Sequence, residues 1–278
     1  MSYLFIALFG LALGSFLNVC IARLPRHESV VAPGSRCPRC KRPVRWYDNI
    51  PLLSYLLLRA RCRDCGQPIS PVYPLVEILT AGLLIAAWAQ YGPSIEFAKY
   101  ALLIMLLVIL IFTDLAERRI PHAVTLFGIG AGILFSFVVP VDDRPLGWVL
   151  QRFDIFPEGR MSSFLGALAG ALFGAGLFYA VGEVFARLRH KQGLGFGDVM
   201  LMGMAGMFLG VPLTYITILL GSVLGTVIAT ALYALSPRFR HGYQWPYGTF
   251  LGAAAIYASL GGKALLEGYL RWGTASGH

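Results

Sequence analysis

Gly193-Leu-Gly-Phe-Gly-Asp198 is a glycine-rich turn ending in an acid, placed at the mouth of an apolar helix. Phe112-Thr-Asp114 stands at the far end of another apolar helix. A carboxylate at the edge of hydrocarbon is costly, so an acid held there marks a functional site by default. If both lie on the same side of a bilayer, Asp114 and Asp198 form a candidate aspartyl pair. The remaining sequence decides whether the chain crosses a membrane and in which direction.

Composition decides the first question. Hydrophobic residues make up 57% of the 278 residues and charged residues 13%. The apolar residues fall in blocks, several of them reaching the roughly 20 residues that cross a bilayer. The chain reads as an all-α polytopic membrane protein with about eight transmembrane helices. They are expected at Tyr3–Ile21, Pro71–Gln90, Phe97–Asp114, His122–Val139, Ser163–Phe185, Asp198–Gly210, Leu213–Leu235 and Gly248–Leu270. Pro212 reads as the turn between the sixth and seventh. Three parts follow: a first helix over 1–21, a cysteine-bearing loop over 22–70, and a helical membrane domain over 71–278. Tyr3–Ile21 lacks a basic region before it and a small-residue cleavage site after it, so it reads as a retained helix.

The formal charge of +9 points to cytoplasmic loops beside anionic lipid and not to nucleic acid. Ala22–Ser70 holds ten Lys/Arg against three acids. Arg118 and Arg119, then Arg187, Arg189 and Lys191, then Arg238 and Arg240 fall in later even-numbered turns. The longest opposite turn, Pro140–Ser162, carries three Arg against Asp142, Asp143, Asp154 and Glu158. The positive-inside rule puts Ala22–Ser70 in the cytoplasm. Asp114 then ends a helix running inward and Asp198 begins one running outward, so both acids share the cytoplasmic face. Charge fixes their depth and leaves their lateral distance open.

Cys37-Pro-Arg-Cys40 and Cys62-Arg-Asp-Cys65 flank a 21-residue insert. Two such pairs match a four-thiolate zinc site, with disulfides as the competing reading. Four thiolates leave no open coordination position, so the ion is structural. Between the pairs, Trp46–Leu58 is too short to span and is expected at the interface or under the metal. Asp48 reads as a turn residue, Cys20 as a small buried hydrophobe, and Glu183 with Arg187 as a helical ion pair. Glycines crowd the second half, among them Gly170, Gly174 and Gly206, as close helix packing requires. No internal repeat is read.

Bland readings stand beside the sharp one. An acid at a helix start is usually a cap. Asp114 lies near Arg118 and Arg119 and fits an interfacial ion pair. A water-activating pair needs one carboxyl neutral and one ionised, because two in contact share a proton. Helix ends favour Asp198 as the base and Asp114 as the acid. No Walker loop is present, and Gly193–Gly197 follows no strand, which argues against a nucleotide fold.

Taken together, several segments resemble the bacterial prepilin peptidases, a family of bifunctional membrane aspartyl proteases. They are Gly14-Ser-Phe-Leu-Asn18, Arg23-Leu-Pro25, the two cysteine pairs, Trp46-Tyr-Asp-Asn-Ile-Pro51, Ser70-Pro-Val-Tyr-Pro74-Leu-Val-Glu77, Asp114 with Ile120-Pro121, Gly195-Phe-Gly-Asp198 and Pro246-Tyr-Gly248. The resemblance implies removal of the short basic leader of type IV prepilins and pseudopilins at the inner face of the bacterial inner membrane. It further implies N-methylation of the new terminus from S-adenosylmethionine. It carries catalysis to Asp114 and Asp198 and zinc ligation to Cys37, Cys40, Cys62 and Cys65. Residues that bind the methyl donor are not assigned. Met200 and His122 depart from the family pattern, where many members have lysine and aspartate. The alternative is a non-enzymatic assembly factor with a zinc docking loop; a proton-coupled transporter would need acids nearer the midplane. The expected partners are substrate helices and anionic lipid.

Overall fold

A computed structural model describes residues 1–141, 159–189, 194–236 and 245–275. Gly193, Lys191, Arg238, Arg240 and the acids Asp142, Asp143, Asp154 and Glu158 lie outside the described residues. The chain divides into two compact units, Met1–Phe97 and Ala98–His278.

In the first unit α1 (Ser2–Arg23) packs along α3 (Val72–Tyr91). Two glycines set the spacing. A Cβ on Gly10 would lie 2.7 Å from the Ala81 Cα, and one on Gly14 would lie 2.6 Å from the Glu77 Cα. The two backbones therefore touch, as membrane helices do when small residues face each other. Ile6, Leu17, Val76, Leu84 and Ala87 fill the seam, while Leu4, Phe5, Leu8, Leu75 and Ile78 face outward. A helix apolar on both faces suits lipid on one side and protein on the other.

Pro25 and a left-handed His27 (φ 57°) end α1. Arg23 then donates to the Ser29 and Gly34 carbonyls at 2.9 and 3.2 Å and folds the loop back. The short helix α2 (Leu53–Leu57) follows a 3₁₀ turn at Trp46–Asn49. Trp46, Leu53, Leu56 and Leu57 are exposed. This segment presents apolar side chains outward, as the interfacial expectation requires.

In the second unit α4 (Ile95–Glu117, from Ala98 onward) is the central helix. Leu103, Ile104, Leu107, Val108 and Leu110 are wholly or almost wholly buried. It stops because Arg118 turns left-handed (φ 54°) and donates its amide to the Asp114 carbonyl at 2.9 Å. Pro121 then bars helical geometry at Ile120 and opens α5 (His122–Ser136). α6 is Arg160–Arg189, α7 is Phe196–Leu235 and α8 is Tyr247–Ala275. Gly170 of α6 meets Gly206 of α7 backbone to backbone. Glu183 pairs with Arg187 at 2.7 Å across one turn of α6, as expected.

Five described helices are long and apolar enough to cross a membrane: α1, α3, α4, α6 and α7. The eight expected crossings are not reached on this measure. Within Phe196–Leu235 two helices meet at a non-helical Gly210 (φ 72°, ψ 179°), two residues before Pro212, where the boundary between the sixth and seventh helices is expected. α5 is apolar but only 15 residues long, because its helix ends at Ser136 and residues 137–139 form a turn. The protein is an integral membrane protein.

Candidate active site and metal centre

Asp114 occupies the last full turn of α4 and is 6% exposed. Asp198 is the third residue of α7 and is half-buried. The cap reading does not hold for Asp198. Gly195 is the N-cap, its backbone is extended, and its carbonyl accepts the Asp198 amide at 3.0 Å.

The two acids meet at the start of α8. A Cβ on Gly248 would lie 3.1 Å from Asp198 Oδ1 and 3.2 Å from Asp114 Oδ2. The carboxyl oxygens are therefore no further apart than these two distances laid end to end. The same point lies 2.8 Å from Ile120 Cδ1, and Ile120 also lies 2.8 Å from where a Cβ of Gly197 would stand. Ile120 is thus an apolar floor beneath both acids, and Gly197 and Gly248 let α7 and α8 close over it. Asp114 Oδ2 accepts twice from Thr249, from its amide at 2.8 Å and its hydroxyl at 3.0 Å. The start of α8 is itself fixed by Tyr247, whose hydroxyl lies 2.9 Å from Ser222 Oγ and whose ring stacks on Phe178.

Both Thr249 donors fall on the one oxygen of Asp114, Oδ2. Gly248 and Thr249 were legible as Pro246-Tyr-Gly-Thr249 at a helix start, but no hydropathy pattern gives them a role. Of the two departures, His122 is exposed with its ring 5.9 Å from that of Phe196, and Met200 is half-buried on α7.

The cysteine loop forms two copies of one turn. Cys37 and Cys62 donate their amides to the Arg42 and Gln67 carbonyls at 3.0 and 2.8 Å. Lys41 and Gly66 return amides to the Cys37 and Cys62 carbonyls, both at 2.9 Å and both with left-handed φ. Arg36 pairs with Pro43, and Arg61 pairs with Pro68. The loop is therefore an internal repeat, contrary to the sequence reading. Its signal was present in Arg36-Cys-Pro-Arg-Cys-Lys-Arg-Pro-Val44 and Arg61-Cys-Arg-Asp-Cys-Gly-Gln-Pro-Ile69.

The four sulfurs of Cys37, Cys40, Cys62 and Cys65 lie within 4.8 Å of one another. Cys37 and Cys65, one from each copy, have sulfurs 3.9 Å apart, and all four thiols are free. Tetrahedral zinc with bonds of about 2.3 Å needs sulfurs about 3.8 Å apart. The donor set and spacing fit that ion. The thiols also perturb one another. The Cys40 amide, bonded to the Cys37 sulfur, lowers that thiol to about 7. The Gln67 amide favours the Cys65 thiolate, but desolvation and the Cys62, Cys40 and Cys37 side chains outweigh it and push that thiol up to about 11. Four thiols this close would all ionise only with a cation to balance them, which is what a bound metal supplies. Asp48 clamps the second copy: Arg63 donates to its two oxygens at 2.8 and 2.6 Å. That hydrogen bonding holds Asp48 below the usual carboxylate range.

Residues 8–91 match the bacterial peptidase A24 N-terminal domain, and residues 101–230 match the type IV leader peptidase family. The chain belongs to the type IV leader peptidase family. It is 40% identical over 250 residues to a prepilin leader peptidase/N-methyltransferase of Myxococcus xanthus, covering 88% of this chain and 68% of that one. A protein of the same description from Bacillus subtilis is 32% identical over 275 residues, covering 98% of each chain. One from Aeromonas hydrophila is 34% identical over 287 residues, covering 95% of this chain and 92% of that one. No solved structure matches.

Proposed function

We propose that the protein is an aspartyl endopeptidase that removes the leader of type IV prepilins and pseudopilins and then N-methylates the new terminus. The carrying observation is that Asp114 and Asp198, 84 residues apart in sequence, share the face of Gly248. In the reaction the ionised carboxyl takes a proton from water. The water oxygen attacks the scissile carbonyl carbon, and the neutral carboxyl protonates the carbonyl oxygen. The C–N bond of the resulting diol breaks as the amine takes a proton from the newly protonated carboxyl and a diol hydroxyl returns its proton to the other carboxyl, which restores the pair. Two carboxyls sharing one proton supply base and acid together. The site lies at the cytoplasmic face, on the reading that basic loops stay inside, and anionic lipid surrounds it. A prepilin suits that depth, because its basic leader stays in the cytosol while its apolar helix enters the bilayer.

The test is incubation of purified protein with a prepilin and S-adenosylmethionine in lipid, followed by mass analysis of the product terminus. Cleavage with methylation supports the reading, and an intact leader contradicts it. Thr249→Val keeps the backbone donor and removes the hydroxyl. Its kcat is expected to fall about tenfold with little change in KM, as loss of one charge-assisted hydrogen bond implies. Thr249→Ser should restore it.

Cys37, Cys40, Cys62 and Cys65 hold one structural Zn2+ on this reading. Cys37→Ser should drop the metal content of purified protein from one ion per chain toward zero and expose the loop to protease. Unchanged metal content contradicts the assignment. S-adenosylmethionine, when bound, supplies a sulfonium-activated methyl group for the new amine.

A further inference from the structure

The peptidase reading uses Asp114, Ile120, Asp198 and Gly248. It leaves unused four conspicuous segments of the first unit: Gly14–Asn18, Arg23–Pro25, Trp46–Pro51 and Ser70–Glu77. All four contribute to the lining of one cavity of about 460 Å³ between α1, α3 and the cysteine loop. That volume lies within the roughly 300–1,000 Å³ of sites for small ligands.

We infer that this cavity binds the methyl donor S-adenosylmethionine, with Glu77 as the carboxylate that receives its cationic centre. The inference rests on the methyl-transfer reading above. Among the described residues no strand forms, so a donor site must be built from helices and loop, and this cavity is so built. Gly14 makes it possible: with no side chain there, Glu77 and Ser15 are brought together at the seam of α1 and α3. Asn18 donates to the Tyr73 carbonyl at 3.0 Å and ties the two helices at the same level. The loop is tied in by Leu52, whose amide donates to Glu77 Oε2 at 2.9 Å. Leu52 holds a positive φ of 58° to make that bond, a conformation that costs a branched residue free energy and persists only where its surroundings impose it.

The charge pattern selects the ligand. Glu77 is 7% exposed, and its hydrogen-bond partners, the Leu52 amide and the Ser15 side chain, are neutral. An acid buried in its ionised form is costly unless a cation balances it. Arg36, Arg39, Arg42 and Arg45 also line the cavity but are exposed. A simple anion would be served by the arginines and repelled by Glu77. A basic peptide would be repelled by the arginines. S-adenosylmethionine has an α-carboxylate for the guanidinium groups, a sulfonium for the buried acid and an adenine ring for Tyr55 and Tyr73, which line the same space. A zwitterionic phospholipid headgroup shares part of this chemistry, and the experiment separates the two.

The experiment is equilibrium binding of radiolabelled S-adenosylmethionine to the purified full chain, with native mass spectrometry for retained lipid. Wild type should bind one equivalent, displaced by S-adenosylhomocysteine. Glu77→Gln keeps an acceptor for the Leu52 amide and removes the charge. It should raise the dissociation constant at least about tenfold. Val19→Trp puts an indole into the cavity at a second lining residue and should weaken binding at least as much. Full metal content and monodisperse elution report folding of each variant, so a failure of one leaves the other decisive. If wild type binds and methylates but both variants bind like wild type, the site assignment falls and the methyl-transfer reading stands. If wild type neither binds nor methylates, both fall. A cavity lipid that S-adenosylhomocysteine does not displace also overturns the assignment.

Discussion

Asp114→Asn and Asp198→Asn should each slow prepilin cleavage by about 10³-fold or more, in protein that keeps its metal and its elution profile. General acid–base groups contribute about 10²–10⁴-fold, and here one substitution disables both functions. Asparagine keeps the size of aspartate and one acceptor oxygen, but it cannot accept the proton of water or return it. Replacing Asp114 also offers the two Thr249 donors a neutral amide in place of a carboxylate. Replacing Asp198 leaves a lone acid with no partner to hold the second proton. Single-turnover cleavage of a prepilin in lipid measures both. Full processing by either variant would remove that acid from the mechanism.

Gly248→Ala should reduce cleavage by about tenfold through geometry alone. The added methyl would stand 3.1 Å from Asp198 Oδ1, 3.2 Å from Asp114 Oδ2 and 2.8 Å from Ile120 Cδ1. Ile120 can rotate, but the carboxyls must then part or the start of α8 must lift. Contacts of 3.1 and 3.2 Å ask the carboxyls to give by a few tenths of an ångström, a fraction of the roughly 1 Å misplacement that costs about 10²-fold. Alanine is the better helix former, with glycine about 1 kcal/mol worse in a helix interior, so stability should not fall in step with activity. Gly261→Ala in the same helix is the control, because its nearest neighbours are ring atoms of Tyr257 at 3.7–3.9 Å. Wild-type cleavage by Gly248→Ala would show that the close approach of the acids is not required.

Where the chain is helical was legible in its apolar runs, and the polar residues that end them located Asp114 and Asp198 along the chain. The lateral meeting of those acids was not, because hydropathy encodes depth and not which helix stands beside which. That information resides in missing side chains: Gly248 over the acids, Gly197 over Ile120, Gly14 against Glu77. A glycine in an apolar run looks the same whether it faces lipid or another backbone. Gly130 and Gly176 would have open space around an added Cβ. The boundary at Gly210 was legible from Pro212, because a proline cannot continue the hydrogen-bond ladder of the helix before it, and the backbone leaves helical geometry there. The duplicated cysteine turn was missed for a different reason. Cys-x-x-Cys drew the reading to the thiols, while the repeat extends to Pro43 and Pro68, beyond the ligands. Asp48 reads as an ordinary turn acid until Arg63, fifteen residues on, closes on it.

The central claim is that Asp114 and Asp198 act as one unit. The most direct measurement is single-turnover prepilin cleavage by four forms: wild type, Asp114→Asn, Asp198→Asn and the double variant. If the acids work as a unit, the double variant is no slower than the slower single, because either change already empties the site of its function. Losses that multiply in the double variant would show two groups acting independently, and the shared-proton account would be wrong.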